Sequence, residues 1–181
     1  MNRRTLTGLT AAVLYVLTIA AANEAVRRWG PVPVGFGLLA PAGVYFAGLA
    51  FTLRDITQRT LGKWAALGAI TAGTVLSLVT GSGAIAIAAA LAFLTSELVD
   101  FAVYSVTEPR AGFLPAVVVS NVAGLLVDSW VFLHLAPQLV PGVPNTAFLT
   151  GQIVGKAWLT APFAAFAVAA LIRRRERPQP A

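Results

Sequence analysis

The stretch "AIAIAAALAFLTSELVDFAVY", residues 84–104, decides the fold class because it combines a long apolar run with two carboxylates. A helix needs about 20 mostly apolar residues to cross the hydrocarbon core of a membrane, and this stretch has that length. Glu97 and Asp100 are three residues apart, so they lie on one face of the helix. An ionised side chain at the centre of such a helix costs about 2.5–3.5 kcal/mol on insertion. We therefore expect this face to point into a bundle of helices.

The composition of the whole chain indicates an integral membrane protein. Of its 181 residues, 57% are hydrophobic and 11% are charged, whereas soluble domains carry about 25% charged residues. The net charge of +6 comes mainly from short basic flanks, and no basic face alternates with aromatic residues, so nucleic acid is not an expected partner. The chain has no cysteine and one histidine, His134. These counts exclude disulfides and multi-histidine clusters, and we expect no metal and no cofactor.

The predicted fold is an all-α membrane protein, a six-helix transmembrane bundle that forms a single domain over residues 1–181. Gly and Pro punctuate the apolar runs and mark the breaks between helices. The predicted helices cover about 6–26, 40–59, 64–80, 84–107, 113–135 and 146–172. The segment Pro31–Leu39 is apolar but too short to span, and we interpret it as a loop or a re-entrant segment inside the bundle.

The Lys and Arg residues predict the orientation of these helices in a cell membrane. With the N-terminus in the cytoplasm, Arg27 and Arg28 face outward, and the other flanking basic residues face inward. The inward set is Arg3, Arg4, Arg59, Lys63, Arg110, Arg173, Arg174, Arg175 and Arg177. The positive-inside rule thus predicts a multi-pass protein in the cell inner membrane with both termini cytoplasmic.

Polar residues recur at helical spacing in the other predicted helices. The pairs that share a helix face are Asn121 with Asp128, Gln152 with Lys156, and Asp55 with Arg59. Asn23 lies at the end of the first helix. Ionisable residues inside a membrane usually mark a substrate or ion pathway. We therefore predict that these faces converge on a central polar cavity.

Specific contacts follow from this prediction. Lys156 should contact Asp100 or Asp128, and both carboxylates should face one cavity together with Asn121 and Gln152. Structural alternatives stay open: Asp55 with Arg59 as an interfacial ion pair, Lys156 in a buried structural pair, and Asn121 as a bond between helices.

At these polar residues the sequence resembles the queuosine precursor transporters, also called the putative vitamin uptake transporter (VUT) family. The segments that carry the resemblance are "DITQRTLGK" at 55–63, "SELVDFAVY" at 96–104, "SNVAGLLVDSWVF" at 120–132 and "GQIVGKAWLTAPF" at 151–163. Asn23 resembles an Asn that closes the first helix in that family. Together these motifs span nearly the whole chain.

The resemblance implies a transporter that imports a purine-like queuosine precursor, 7-cyano-7-deazaguanine or a related 7-deazaguanine. It also implies a fold similar to the substrate-binding subunits of energy-coupling-factor vitamin transporters. A carboxylate can accept the two adjacent donors of a deazaguanine, and a flat ring favours an aromatic slot. The substrate-binding residues expected on this basis are Asp100, Glu97, Asp128, Asn121, Gln152, Lys156, Asn23, Asp55, Arg59, Phe101, Tyr104 and Phe46.

Other function classes stay open from the sequence alone. The chain could be a vitamin-binding membrane subunit that needs a separate ATP-driven module, a structural protein whose polar residues lock helices together, or a membrane enzyme of another type. The chain has no phosphate loop, dinucleotide fingerprint or intramembrane protease motif, so we expect it not to be an enzyme. The driving force, the charge of Glu97 in function and the formation of a homo-oligomer are not determined by the sequence.

Overall fold

The computed structural model describes residues 2–81, 83–139 and 150–158, and these residues are mostly helical. The elements are α1 (Arg3–Trp29), β1 (Pro31–Pro33), β2 (Leu39–Pro41), α2 (Val44–Leu61), α3 (Lys63–Thr80), α4 (Gly83–Ala111), α5 (Phe113–Leu139) and α6 (150–158). The prediction of six helices is confirmed within the described residues. Much of the sixth predicted helix, 146–172, lies outside them.

The segment between α1 and α2 differs from the prediction of an all-α chain. It forms an antiparallel hairpin in which Val32 of β1 pairs with Ala40 of β2. The turn of the hairpin contains Gly35, Phe36 and Gly37, which all have positive φ angles of 94°, 54° and 73°. Glycine adopts this left-handed region without steric cost, and two glycines around Phe36 therefore allow the chain to reverse tightly.

Two glycines connect consecutive helices with almost no loop. Gly62 joins α2 to α3 and Gly112 joins α4 to α5, with φ angles of 93° and 83°. Their left-handed backbone ends one helix and lets the next begin at once. Helix α4 was expected to end near Thr107, but it continues to Ala111 with Pro109 inside its last turn. A proline there removes only one backbone hydrogen bond, and the conformation of Gly112 sets the actual end.

Four helices in the described part of the chain are long and apolar enough to cross a membrane by length and composition. They are Arg3–Trp29, Lys63–Thr80, Ile87–Ala111 and Phe113–Leu135. Helix α2 is also 18 residues long, but it carries Arg54, Asp55 and Arg59. Because α2 is no longer than these 18 residues, it has no stretch of spanning length with fewer than three charges.

The distribution of side chains is the reverse of that in a soluble protein. Large apolar residues at helical spacing on α1, including Leu6, Val13 and Leu17, are more than half exposed. Arg54 and Glu97, in contrast, are fully buried. Apolar side chains outside and charges inside are favourable when the surrounding medium is lipid. This pattern agrees with the membrane class predicted from the composition.

The helices pack through small residues and a few large apolar ones. The main core joins α1, α2 and α3 around Tyr15, Ile19 and Ile70. Helix α4 packs most extensively on α5. A Cβ atom added to Gly124 of α5 would lie 3.0 Å from the Cβ of Asp100 on α4. Glycine at this position lets α5 approach α4 beside its buried carboxylate.

Candidate functional site

A buried ionic cluster lies where α2 packs near α4. It consists of Arg54, Asp55, Glu97 and Asp100, and we call it the Arg54 cluster. All four side chains are essentially inaccessible. Arg54 Nη2 lies 3.1 Å from Asp55 Oδ1 and also pairs with Asp100 Oδ2, and Arg54 Nε lies 3.2 Å from Glu97 Oε2. One guanidinium therefore contacts three carboxylates from two helices.

Neighbouring polar groups hold the guanidinium in place. Arg54 Nη1 donates to Gln58 Oε1 at 3.3 Å, one turn along α2. Gln58 Nε2 in turn donates to Ser105 Oγ on α4 at 3.0 Å. The planar guanidinium suits several carboxylates at once because it presents five donors in a fixed geometry. Gln58 thus links the two helices beside the cluster.

The charges in the Arg54 cluster do not balance when all three acids are ionised. Each carboxylate places one oxygen against Arg54 and retains a second buried oxygen that has no hydrogen-bond partner. These second oxygens are Asp55 Oδ2, Glu97 Oε1 and Asp100 Oδ1. An unpaired buried charge is strongly unfavourable. With all three acids ionised, the cluster would therefore hold more negative charge than Arg54 alone can compensate.

A cavity of about 160 Å³ lies beside this cluster. All six helices and β2 contribute to its lining, which includes Thr18, Asn23, Pro41, Phe46, Phe51, Ser77, Phe93, Ser96, Glu97, Asp128, Phe132, Gln152 and Lys156. Most of the wall is apolar or aromatic. Its polar groups are few and come from separate helices, an arrangement that is typical of small-molecule sites.

The ionic part of the cavity wall is formed by Asp128 of α5 and Lys156 of α6. Lys156 Nζ pairs with Asp128 Oδ2 and donates to Gln152 Oε1 at 3.1 Å. The predicted contact of Lys156 with Asp100 or Asp128 is thereby confirmed for Asp128. Gln152 Nε2 is buried and has no hydrogen-bond partner. It is an unused donor on the wall of the cavity.

The second oxygen of Asp128 is weakly engaged. Ser96 Oγ lies 3.4 Å from Asp128 Oδ1, but the same hydroxyl lies only 2.8 Å from the carbonyl oxygen of Phe93. A hydroxyl has one proton, and the shorter contact is the better hydrogen bond. Asp128 Oδ1 therefore has capacity to accept from a ligand.

The hairpin determines where α6 lies. A Cβ atom on Gly151 would collide with the carbonyl oxygen of Leu39, and one on Gly155 would lie 2.8 Å from Val34 Cγ1. These two glycines let the hairpin contact the backbone of α6 directly. Gln152 and Lys156 lie beside these glycines in the sequence, so the contact positions both side chains at the cavity.

The structure corrects the predicted surroundings of Asp100 and Asn121. Asp100 does not line the cavity. It lies one turn beyond Glu97 along α4, where its carboxylate pairs with Arg54. Asn121 is buried with an unpartnered Oδ1, but it does not line the cavity either. It precedes Asp128 by two turns, about 10.5 Å along the helix axis. The predicted single cavity containing Asp100, Asp128, Asn121 and Gln152 is therefore wrong in two of its four members.

Other predicted site residues also lie away from the cavity. Asp55 pairs with Arg54, and the ion pair with Arg59, which was one structural alternative from the sequence, is not formed. Arg59 instead places its guanidinium 4.2 Å from the ring centroid of Phe113. Tyr104 packs edge-on against the same ring, and Phe101 packs against the main core. Arg59, Tyr104 and Phe101 therefore contribute to packing between helices, and they do not line the cavity.

Two further predicted residues, besides Glu97, Asp128, Gln152 and Lys156, lie on the cavity wall, and they are Asn23 and Phe46. Asn23 Nδ2 donates to Thr80 Oγ1 on α3 at 2.9 Å, so this side chain also joins α1 to α3. The residue that the sequence analysis missed is Arg54. The sequence contains a signal for it, because Arg54 lies within a mostly apolar helix. The i, i+4 spacing of Asp55 and Arg59 pointed to Arg59 as the basic partner instead.

Comparisons of the chain with protein-family models, with curated proteins and with solved structures found no match.

Proposed function

We propose that this chain is a multi-pass membrane transporter, not an enzyme, that imports a purine-like queuosine precursor, 7-cyano-7-deazaguanine or a related 7-deazaguanine. Two arguments support the proposal. The first is the resemblance of four sequence segments to the queuosine precursor transporters. The second is the cavity between the helices, which combines an apolar wall with a small set of hydrogen-bonding groups.

The proposed topology has six spanning helices and both termini in the cytoplasm. The excess of Lys and Arg on the cytoplasmic side supports it. A contact in α1 adds to this argument. Glu24 accepts two hydrogen bonds of 2.8 Å from Arg27 and also pairs with Arg28. The two arginines assigned to the outside are thus partly neutralised by a local acid.

The proposed substrate class rests on one observation: the cavity wall has both a free acceptor and a free donor. Asp128 Oδ1 can accept and Gln152 Nε2 can donate. A 7-deazaguanine presents adjacent N–H donors and a carbonyl acceptor on one edge. A carboxylate matches the donors, and an amide N–H matches the carbonyl. We expect Asp128, rather than Asp100, to read the donor edge.

The dimensions of the cavity favour a small planar ligand. Its volume of about 160 Å³ is close to the ~150 Å³ of an apolar cavity that accepts one benzene ring. Phe46, Phe51, Phe93 and Phe132 line the wall. Aromatic side chains bury flat rings well through stacked or edge-on contacts. A two-ring base would fill this space and displace the walls slightly.

Binding to purified protein tests the substrate class. Asp128→Asn keeps the shape of the side chain but replaces an acceptor by a group that is half donor. It should weaken binding of 7-cyano-7-deazaguanine more than tenfold, or about 1.4 kcal/mol. Glu24→Gln, which changes a half-buried carboxylate on α1 that does not line the cavity, is the control and should bind as the unmodified protein does.

A base without the exocyclic amine completes the binding test. Hypoxanthine-like bases lack one donor and should bind the unmodified protein weakly, with a smaller loss in Asp128→Asn. Equal binding of both bases, unaffected by Asp128→Asn, would contradict the proposed recognition. Uptake of labelled precursor by cells that lack their own importer tests transport itself. Uptake that required a co-expressed ATPase module would favour the vitamin-binding subunit instead.

A further inference from the structure

Three of the four members of the Arg54 cluster do not line the cavity, and one guanidinium cannot balance three ionised carboxylates. Three fully buried carboxylates share one guanidinium. If all four groups were ionised, the cluster would carry two uncompensated negative charges in a bundle with an apolar exterior. Buried ionisable groups without a partner take up or lose a proton instead of remaining charged. Two bound protons would make this cluster neutral, with one carboxylate left against Arg54.

The unpartnered atoms show where protons would be held. Asp55 Oδ2, Glu97 Oε1 and Asp100 Oδ1 are buried and have no hydrogen-bond partner. Tyr15, on α1, is also fully buried, and its hydroxyl interacts with Glu97 without a hydrogen bond of normal geometry. This hydroxyl comes from a third helix and is not part of the acidic cluster. It can accept a hydrogen bond from a protonated carboxyl group or donate one to a carboxylate.

Glu97 connects the cluster to the cavity. It contacts Arg54 Nε on one side, and it is the member of the Arg54 cluster that lines the cavity. We propose that the Arg54 cluster is a proton-binding site and that Glu97 is the carboxyl group that exchanges its proton with the cavity. A proton on Glu97 Oε1 converts the carboxylate to a neutral carboxylic acid, and the other oxygen stays beside Arg54.

The groups around Glu97 favour a proton over a metal ion. The titratable or charged groups that interact with it are Tyr15 from α1, Arg54 from α2, Asp100 from α4 and Asp128 from α5. Asp55 shares Arg54 with it, Lys156 of α6 is held by Asp128, and the one ionisable residue of α3, Lys63, is exposed. A guanidinium at the centre of the site would repel a metal cation. No group of three or more His, Cys, Asp or Glu side chains among the described residues is arranged to hold a metal ion.

A consequence for transport rests on the proposed function. Neutral Glu97 can donate a hydrogen bond into the cavity, so it offers an acceptor group of the ligand a partner that the carboxylate cannot offer. The proton and the ligand would then bind together, and an inward proton gradient would drive uptake. The proton-binding site itself does not depend on the identity of the ligand.

Infrared difference spectroscopy of the purified protein tests the proton-binding site without any ligand. At neutral pH the unmodified protein should show the C=O band of protonated carboxyl groups, and this band should shift in D₂O. Glu97→Gln should lose part of the band, whereas the control Glu24→Gln, which changes a carboxylate paired with Arg27 and Arg28, should retain all of it. Absence of the band from the unmodified protein at neutral pH would overturn the proposal, and this measurement requires no variant to fold.

Proteoliposomes separate this proposal from the proposed function. An inward proton gradient should raise the initial uptake of labelled 7-cyano-7-deazaguanine severalfold, and Glu97→Gln should remove the stimulation. Uptake that a sodium gradient stimulates instead, or uptake that does not change with the proton gradient, would overturn the proposed coupling of uptake to protons. A carboxylic acid band in a protein that neither binds nor transports the base would support the proton site and contradict the transport function.

Discussion

Removal of Arg54 should destabilise the protein more than removal of another arginine from the same helix. Arg54→Met keeps a long, flexible side chain but leaves Asp55, Glu97 and Asp100 without their shared cation. All three carboxylates are essentially inaccessible. Breaking a buried ion pair by removing one partner costs about 3–5 kcal/mol, because the remaining charge stays desolvated. We expect a loss in this range.

Arg59→Met is the matched control on α2. Arg59 is exposed. Its guanidinium lies over the ring face of Phe113. An exposed cation–π contact contributes about 0.5–1 kcal/mol. The two variants change the same residue type in the same helix, so the difference between them measures the effect of the Arg54 cluster.

The assay is equilibrium unfolding of the purified proteins in mixed micelles, followed by helical circular dichroism as the denaturing detergent is increased. A second-site change gives an internal check. Adding Asp100→Asn to Arg54→Met removes one of the buried acids that has lost its cation, and the double variant should be more stable than Arg54→Met alone. If Arg54→Met and Arg59→Met unfold within about 1 kcal/mol of each other, and Asp100→Asn gives no recovery, the cluster is not a buried network of charges.

Three further predictions concern transport, packing and topology. Lys156→Met removes the cation that pairs with Asp128 and should lower precursor uptake more than tenfold, while the exposed control Lys63→Met transports normally; normal uptake by the first variant would exclude a role for the cation. Gly151→Ala places a Cβ atom against the carbonyl oxygen of Leu39 in β2 and should lower the midpoint of thermal unfolding. Gly68→Ala meets nothing within 4 Å and should keep the midpoint or raise it, because alanine in a helix is more stable than glycine by about 0.5–1 kcal/mol. A reporter fused after Ala181 should be active in the cytoplasm, and activity only outside the cell would reject the proposed topology.

Part of the candidate site was predictable because helical periodicity fixes which residues share a face. Gln152 and Lys156 are four residues apart, and they are hydrogen-bonded in the structure. The expected acidic partner of Lys156 was found in Asp128. A cation inside a membrane bundle requires such a partner whatever the details of packing, so the sequence alone was enough to predict one.

The depth of each residue along its helix was not predictable in the same way. Asn121 and Asp128 share a face, but two turns separate them, and only Asp128 reaches the cavity. Glu97 and Asp100 likewise share a face, yet Glu97 lines the cavity and Asp100 does not. Periodicity gives the direction of a side chain around the helix axis. It does not give the height at which a neighbouring helix presents its own polar group.

The sequence by itself determined the class of this protein: apolar runs of membrane-spanning length, few charges, and polar residues confined to single helix faces that must point inward in lipid. It also determined where helices break, because Gly62 and Gly112 can take the left-handed backbone that a direct helix–helix connection needs. Only the tertiary structure decided the partners. Arg54 meets Glu97 and Asp100 because α4 packs near α2, and local spacing in α2 favoured Arg59 for Asp55 instead. Ion pairs between helices depend on the relative height and rotation of both helices, and those are set by the packing of the whole bundle.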